Sequence, residues 1–378
     1  LMGDLAKGIK SFKKGMSSDD SNQTKIQSSE EEKSTEEKED PYRLVILSHD
    51  DAEDPNKTGD LIREKAKKLG IKCILGEFVG AYTSYDIKND ELYINTFPVA
   101  KGGAVAQPDP KKEIKYDKPF KLNPENTIIM SRGLGTPGVS GNKSWYDMIK
   151  DFEHKGFTVI NTNKCHDICS DKVMNQIIFD RHDFNSPKTV RVLHSEGSEK
   201  ALEDLDSEFP IILKTGTGSR GVGVILVESA ASLQSIVQLL YRENEFIDII
   251  LQERIETDYD VRVIVCGDEV VGVMKRPIAK GDFRSNVSQG SEPVPHKLTE
   301  LEIKESLAAA KAVGGIVVGV DFIPGKNREK DRPYFIEVNS TPGLIGIEEA
   351  LKSDGSIVEK ILKKLQDRSL WATAWQTS

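Results

Sequence analysis

The stretch YFIEVNSTPGLIGIE, residues 334–348, decides how the rest of the chain is read. Tyr334–Val338 has the apolar, β-prone character of a buried strand, but Glu337 interrupts it and Asn339 follows at its end. Successive strand residues point to opposite faces, so Glu337 and Asn339 share one face. A carboxylate is rarely buried without a partner, so Glu337 in an apolar strand asks for one. A second strand, VVGVD (317–321), ends on Asp321. Two carboxylates and an amide oxygen are hard oxygen ligands, and suit magnesium bridging nucleotide phosphates. Acidic strand ends are also often simply solvated, and Glu337 is the member of the set for which that reading is weakest.

Working upstream, the cations cluster. Lys280-Gly-Asp-Phe-Arg-Ser-Asn286 holds Arg284 and Asn286, Arg276 lies just before it, and Arg262 follows Asp260 on a strand, DVRVIV. An arginine among β-branched neighbours calls for an anion, and a planar guanidinium can hold a phosphate or carboxylate through two hydrogen bonds.

Further upstream is a glycine-rich run, Lys214 to Gly223, KTGTGSRGVG. Glycines such as Gly218, Gly221 and Gly223 let backbone N–H groups approach a polyphosphate, and Lys214 adds a point charge. The run lacks the G-K-[ST] of a Walker A loop. It joins two strands, FPIILK (209–214) and VGVILVE (222–228), whereas a dinucleotide fingerprint opens a helix. Protein kinases also cover phosphates with such a loop, but no HRD or DFG follows, and Asp282-Phe283-Arg284 carries Arg where DFG carries Gly. A plain flexible hairpin remains the bland reading of the loop alone.

The preceding region, 41–164, reads as a strand–helix–strand start: Tyr42–Ser48, Thr58–Leu69 closed by Gly70, then Ile71–Leu75. That order predicts a parallel sheet. Tyr82–Phe97 reads as further β structure, 98–126 as a long surface loop, Thr127–Ser131 as a strand, Trp145–His154 as a helix and Thr158–Asn161 as a strand. Beyond it, a short helix is expected over Lys172–Phe179, a hairpin across Cys266-Gly267-Asp268, and helices over Glu302–Val313 and Ser356–Leu365. Cys165-His166-Asp167-Ile168-Cys169 brings ligand types together, but no second Cys or His pair follows to complete a zinc site. His49, near Asp50 and Asp51, reads as a strand-end polar cluster.

The 378 residues carry 52 basic and 61 acidic side chains, a net of −9. No stretch has the roughly 18–20 apolar residues of a membrane span. A net acidic chain is a poor generic nucleic-acid binder, since phosphate neutralisation needs surplus Lys and Arg. Four cysteines give no disulfide framework, which together with the lack of a signal peptide predicts a reducing, cytoplasmic setting. The charge is uneven. Residues 17–40 hold nine acids and three lysines, a net of −6, with one aliphatic residue, and read as a disordered linker. Residues 1–16 hold four lysines and one aspartate, a net of +3, so −6 is left for 41–378. Leu1, Leu5, Ile9, Phe12 and Met16 recur at helical spacing, which predicts a basic amphipathic helix able to lie on an anionic membrane at its cytoplasmic face. Such a helix can equally dock on a partner. LMGDLAKGIKSFKKGM and its acidic tail resemble the amphipathic helix and tail of TatA, the twin-arginine translocase subunit. A transmembrane helix comes first in that family, so the resemblance implies a piece of a longer, membrane-anchored fusion.

Taken together, SDK (170–172), IILKTGTGSRGVGVILVE (211–228), LQERI (251–255), YDVRVIVCGDEVVGV (259–273), GDFRSN (281–286), GVDF (319–322) and FIEVNSTPGLIGIE (335–348) resemble the ATP-grasp superfamily, and within it the RimK-type α-L-glutamate ligases. VILSHD and SRGLGTP resemble pieces of that family's N-terminal domain. The fold implied is α/β with α+β lobes: an ATP-grasp fold preceded by an α/β pre-ATP-grasp domain. The organisation expected is an N-terminal domain over 41–164, a central lobe with the glycine loop over 165–255, a C-terminal lobe with the metal site over 256–366, and a tail over 367–378. By position, the resemblance gives Lys172 and Lys214 to the ATP phosphates. It gives Glu253, Arg254 and Ile255 to the adenine, and Asp260 to the ribose side. Arg284 and Asn286 fall beside the γ-phosphate and an acyl-phosphate. Asp321, Glu337 and Asn339 fall to two Mg2+ (or Mn2+) ions, Arg262 and Arg276 to a substrate carboxylate, and Ser340–Gly343 to the acceptor side.

Two departures stand out: the long 98–126 loop, and Arg254 where the family often has an aromatic. The activity implied is ATP-dependent carboxylate–amine ligation, adding glutamate or a related amino acid to a carboxylate-bearing acceptor. The rivals are another peptide or glutathione-synthetase-like ligase and a silent ATP-binding scaffold. No nucleic-acid partner is expected, and a homo-oligomer is among the expected assemblies.

Overall fold

In the computed structural model the described residues are 42–49, 57–96, 116–134, 143–216, 223–278 and 292–371. The expectations for residues 1–16, 17–40 and most of 98–126 lie outside them, as do Gly218, Gly221, Arg284, Asn286 and Trp375. Among the described residues no helix is long and apolar enough to cross a membrane.

The N-terminal region starts with β1 (Arg43–Ser48), α1 (Lys57–Lys68) and β2 (Cys73–Glu77), where β1 and β2 pair in parallel. Gly70 ends α1 with φ +74°, as the sequence implied. β3 (Tyr82–Asp86), β4 (Glu91–Asn95) and β5 (Phe120–Leu122) form a small antiparallel sheet, so the end of the expected 98–126 loop is a strand paired with β4. β6 (Thr127–Arg132), α2 (Lys143–His154) and β7 (Thr158–Ile160) complete a parallel sheet of order β2-β1-β6-β7. The parallel pairing read from strand–helix–strand order holds throughout it.

Two helices follow. α3 (Asn163–Cys169) takes in the Cys165–Cys169 run, which had been given no helix, and is capped by Thr162. α4 (Lys172–Arg181) is capped by Asp171, whose carboxylate accepts from the amides of Val173 and Met174. β8 (Thr189–Val192), α5 (Ser198–Leu205), β9 (Ile211–Thr215), β10 (Val224–Val227), α6 (Ala230–Glu243) and β11 (Ile249–Glu253) build an antiparallel sheet of order β10-β9-β11-β8. β9 and β10 are the strands joined by the glycine run. Gly223 has φ +76°, and a Cβ there would sit 2.2 Å from Thr215 Oγ1, so only glycine fits.

β12 (Tyr259–Cys266), β13 (Glu269–Pro277), β14 (Val294–Pro295), α7 (Glu300–Ala312), β15 (Val317–Ile323) and β16 (Tyr334–Asn339) form the third main sheet, in the order β14-β13-β12-β15-β16, and α8 (Ile345–Ala350) and α9 (Ile357–Lys364) follow it. α7 opens with a capping box, Thr299 and Glu302 each satisfying the other's backbone N–H.

This sheet separates two apolar cores. Val261, Val263, Val265, Val318, Val320, Phe322, Phe335 and Val338 pack with α3, α4 and α7. Ile264, Cys266 and Val317 on the other face join α8 and α9 to Leu44, Ile46, Ile128 and Met130 of the N-terminal sheet. Tyr42 donates to the carbonyl of Leu362 at 2.9 Å, and Trp371 stacks edge-on against Tyr42 with its Nε1 donating to Leu365. The first part of the tail is thereby part of this core.

Candidate active site

The strand register brings the candidate residues together. Arg262 on β12 stands opposite Asp321 on β15, which stands opposite Glu337 on β16. Asp260 and Arg276 pair across β12 and β13 one pleat further along. A register shift between Asp321 and Phe322 lets Phe335 and Val338 both face the core while Glu337 and Asn339 turn the other way. The outcome is a charged row on the sheet face whose opposite end is the apolar surface under the N-terminal region.

That row is tightly connected. Arg262 donates from Nε to Asp321 Oδ1 at 2.7 Å and from Nη2 to Oδ2 at 2.5 Å. Arg276 donates from Nε and Nη2 to Asp260 at 2.7 and 2.5 Å, and from Nη2 to Asp321 Oδ2 at 3.0 Å. Burial by itself would raise the Asp321 pKa, but Arg262 and Arg276 outweigh it and hold the carboxyl down at about 2. Burial works against the Arg276 charge as well, and Asp321 and Asp260 overcome it, raising its pKa. Glu337 is half-buried, 3.9 Å from Arg262, and its Oε1 accepts from Asn339 Nδ2 at 3.1 Å.

The lysines sit across from this row. Lys214, at the end of β9, is buried and donates to Gln252 Oε1 at 2.7 Å. Burial pulls its pKa down to about 8; Glu337 raises it and Lys172 lowers it further. Lys172 opens α4, and its pKa is also lowered by burial, with Glu337 and Asp171 opposing. Glu337 thus acts electrostatically on both lysines. Two desolvated ammonium groups facing a carboxylate are suited to receive phosphate, whose charge would offset their burial.

Glu253, Arg254 and Ile255 lie where β11 leaves its sheet for β12. The Glu253 amide donates to Lys188 O and its carboxylate accepts from the Lys188 amide at 2.7 Å, while Arg254 is exposed. Gly223 stands at the start of β10.

For a divalent ion the donor chemistry is suitable. Glu337 and Asn339 turn oxygens to one face, and Asp321 Oδ1 accepts one hydrogen bond and keeps a lone pair. Among the described residues no group of three or more His, Cys, Asp and Glu side chains forms a metal cluster, so the set consists of two carboxylates and the Asn339 amide.

Four contributors were missed in the sequence. Gln252, which holds Lys214, is an amide interrupting the apolar strand IILQE, a signal of the same kind as Glu337. The other three cradle the segment after Asn339. Asn161 Nδ2 donates to Ser340 O and Val317 O, both at 2.7 Å, and its Oδ1 accepts from the amides of Ile316 and Val317. Buried Arg132 donates to the carbonyls of Thr341 and Pro342, at 3.4 and 2.9 Å, and burial lowers its pKa to about 10. His166 joins Ser131 Oγ at 2.6 Å to Ser340 Oγ at 2.8 Å. His49 follows β1 with its amide donating to Arg132 O, and its ring is 3.2 Å from buried Glu77.

Two antiparallel sheets, with buried Lys214 on one and a carboxylate row on the other, beside a parallel α/β region, define the ATP-grasp fold. Solved structures share it. One is the Chryseobacterium gregarium RiPP-associated ATP-grasp ligase in complex with ADP and a leader and core peptide, at TM-score 0.62 and 15% identity over 88% of this chain and 98% of that one. Another is a RimK domain ATP-grasp protein from Sphaerobacter thermophilus DSM 20745, at TM-score 0.54 and 16% identity over 85% and 99%.

The RimK-like ATP-grasp domain matches residues 169–365, a little over half of the chain, and the chain belongs to that family of ATP-grasp ligases. ATP and divalent-metal binding are general to it. A Coxiella burnetii (strain Dugway 5J108-111) protein named "Probable alpha-L-glutamate ligase" is 34% identical over 233 residues, 60% of this chain and 75% of the relative. A Parasynechococcus marenigrum (strain WH8102) protein of the same name is 32% identical over 260 residues, 65% of this chain and 54% of the relative, so the chain spans about half of that protein's length.

Proposed function

We propose that the protein joins a carboxylate to the amine of glutamate or a related amino acid at the expense of ATP. Lys172 and Lys214 hold the phosphates, and Gly218, Gly221 and Gly223 offer backbone amides to them. Glu253, Arg254 and Ile255 meet the adenine and Asp260 the ribose side. Asp321, Glu337 and Asn339 would hold two Mg2+ ions, whose charge would offset that of the phosphates, and Ser340–Gly343 would shape the acceptor side. A substrate carboxylate oxygen attacks the γ-phosphorus, ADP leaves, and an acyl-phosphate forms. The amine nitrogen attacks its carbonyl carbon. The tetrahedral adduct expels inorganic phosphate, and the nitrogen loses a proton to give the amide. Arg262, Arg276, Arg284 and Asn286 steady the negative charge on the transferring group and the substrate carboxylate.

The observation that carries this reading is the single sheet face bearing Asp321, Glu337 and Asn339, with Glu337 acting on both Lys172 and Lys214. The names of the curated relatives support glutamate as the amino acid. The test is ADP release with ATP, Mg2+ and a panel of amino acids and peptides, with mass spectrometry of the product from labelled glutamate. Turnover that depends on L-glutamate supports the reading. No amino-acid-dependent turnover across the panel would end it.

A further inference from the structure

The Ser340–Pro342 segment follows Asn339 directly and is held from outside its own sheet. Its three consecutive carbonyls all accept from side chains of the preceding region: Ser340 from Asn161, and Thr341 and Pro342 from Arg132. The Ser340 hydroxyl is the one side-chain contact in this cradle, and it meets His166 Nδ1 at 2.8 Å. His166 is 2% exposed, and its other ring nitrogen is 2.6 Å from Ser131 Oγ at the end of β6. A neutral imidazole carries one N–H, so one serine hydroxyl donates to the ring and the other accepts from it. Both ring nitrogens are thereby satisfied, and the ring forms a rigid strut from β6 of the parallel sheet to the segment beyond the candidate metal ligands. Tyr146, edge-on to the ring at 6.3 Å between centroids, fixes its plane.

We infer that His166 is a positioning residue which, through Ser340, sets where the Ser340–Gly343 segment stands and so tunes binding of the carboxylate-bearing acceptor without touching the nucleotide. The inference rests on the proposed acceptor role of that segment. Its physical basis is a division of labour. Asp321 and Glu337 are fixed by paired strands and by Arg262, whereas the segment after Asn339 leaves the sheet and depends on the cradle. Loss of the strut should therefore move the acceptor side and leave the nucleotide side in place.

The experiment is steady-state ADP release by the full chain with ATP, Mg2+, saturating L-glutamate and a short peptide with a free C-terminal carboxylate as acceptor, for wild type, His166→Phe, His166→Gln, Ser340→Ala and the His166→Phe/Ser340→Ala double variant. His166→Phe and Ser340→Ala should each raise KM for the peptide acceptor about tenfold, the worth of one buried hydrogen bond, with KM for ATP within about twofold of wild type. His166→Gln, which keeps a donor and an acceptor, should recover most of the loss. The double variant should be no worse than the poorer single one, because both remove the same contact.

Equal shifts in both KM values, a lowered melting temperature with both KM values unchanged, or additive single effects would each overturn the inference. Should His166→Phe fail to fold, Ser340→Ala reads the same contact from the half-buried segment. A wild-type protein without ADP release that depends on the peptide acceptor overturns the acceptor role itself, and the inference with it. A wild type that turns over while the variants show no KM split overturns the inference alone.

Discussion

Asp321 and Arg262 face each other across β12 and β15, carboxylate to guanidinium through two hydrogen bonds of 2.7 and 2.5 Å, and Glu337 is the next residue along that row. The pairing keeps Asp321 ionised while buried and aims its remaining lone pair at the face it shares with Glu337 and Asn339. Asp321→Asn removes the charge with little change in shape. ADP release should fall at least about a hundredfold, the scale of losing one preorganised electrostatic contact at a transition state. Steady-state assays beside a thermal melt check this, since a folded Asn variant with wild-type turnover would remove Asp321 from the chemistry.

Arg276 is the hub of the same network, nearly fully buried between Asp260 and Asp321. Arg276→Met leaves two carboxylates short of their cation. Breaking one side of a buried ion pair costs about 3–5 kcal/mol, and urea unfolding should show a loss of that size. Asp260→Asn together with Arg276→Met should recover part of it, because the pair's removal leaves fewer unmatched charges. A loss below about 1 kcal/mol would mean that water reaches this row.

Lys214 gives a pH test. Its pKa is depressed to about 8, so it is charged below pH 8 and neutral above. If its charge holds a phosphate, affinity for Mg-ATP should be flat below pH 8 and fall by up to about tenfold per unit above it. Phosphate raises the lysine pKa, so binding between pH 8 and 10 should take up a proton. Calorimetry in buffers of different ionisation enthalpy measures that uptake. Lys214→Met should abolish both effects, and flat affinity from pH 7 to 10 would count against the assignment.

What was legible in the sequence were residues that break a pattern of their own strand. Glu337 and Asp321 interrupt or end apolar runs, the glycine run separates two β-branched segments, and Gly267 marks the turn of the β12–β13 hairpin. Gln252 carried the same kind of signal and was passed over. Asn161, His166 and Arg132 are different. Apart from Ser131, their partners lie 155 to 210 residues away and are mostly backbone carbonyls and amides, which have no signature in a sequence. α3 was missed because seven residues are too few to show helical periodicity, and its stability comes from Thr162 and from burial of Cys165 and Ile168. Arg262 and Arg276 were legible as needing an anion, and the anions they meet in this structure are Asp321 and Asp260, which only the strand register reveals.

His166 should also leave a mark on stability. Burial first, then the Arg132 charge, lowers its pKa from 6.5 to about 3. The unfolded chain therefore binds a proton that the folded chain refuses between those values. The stability contributed is complete above about pH 6.5 and declines as pH falls toward 3, by at most about 1.4 kcal/mol per unit. Wild type should lose more stability between pH 7 and pH 5 than His166→Phe does, as read by denaturant midpoints at both pH values. Identical losses would show that the ring is protonated in the folded protein as easily as outside it.

Asn161 joins the parallel sheet to the sheet that carries Asp321 and Glu337. Four backbone groups depend on its amide: the carbonyls of Val317 and Ser340, and the amides of Ile316 and Val317. Asn161→Ala strands them at the start of β15, four residues before Asp321 on the same strand, and just past the end of β16. Each buried backbone group left without a partner costs about 1–3 kcal/mol, and water entering the small space relieves some of that. The expected loss is about 2–5 kcal/mol. Asn161→Asp, which keeps the acceptor but cannot donate, should fall between wild type and alanine, because the Ile316 and Val317 amides stay paired while the two carbonyls lose their donor. Denaturant unfolding of the three proteins ranks them, and an Asp variant no better than Ala would show that the donated bonds, rather than the accepted ones, hold β15 against the N-terminal sheet.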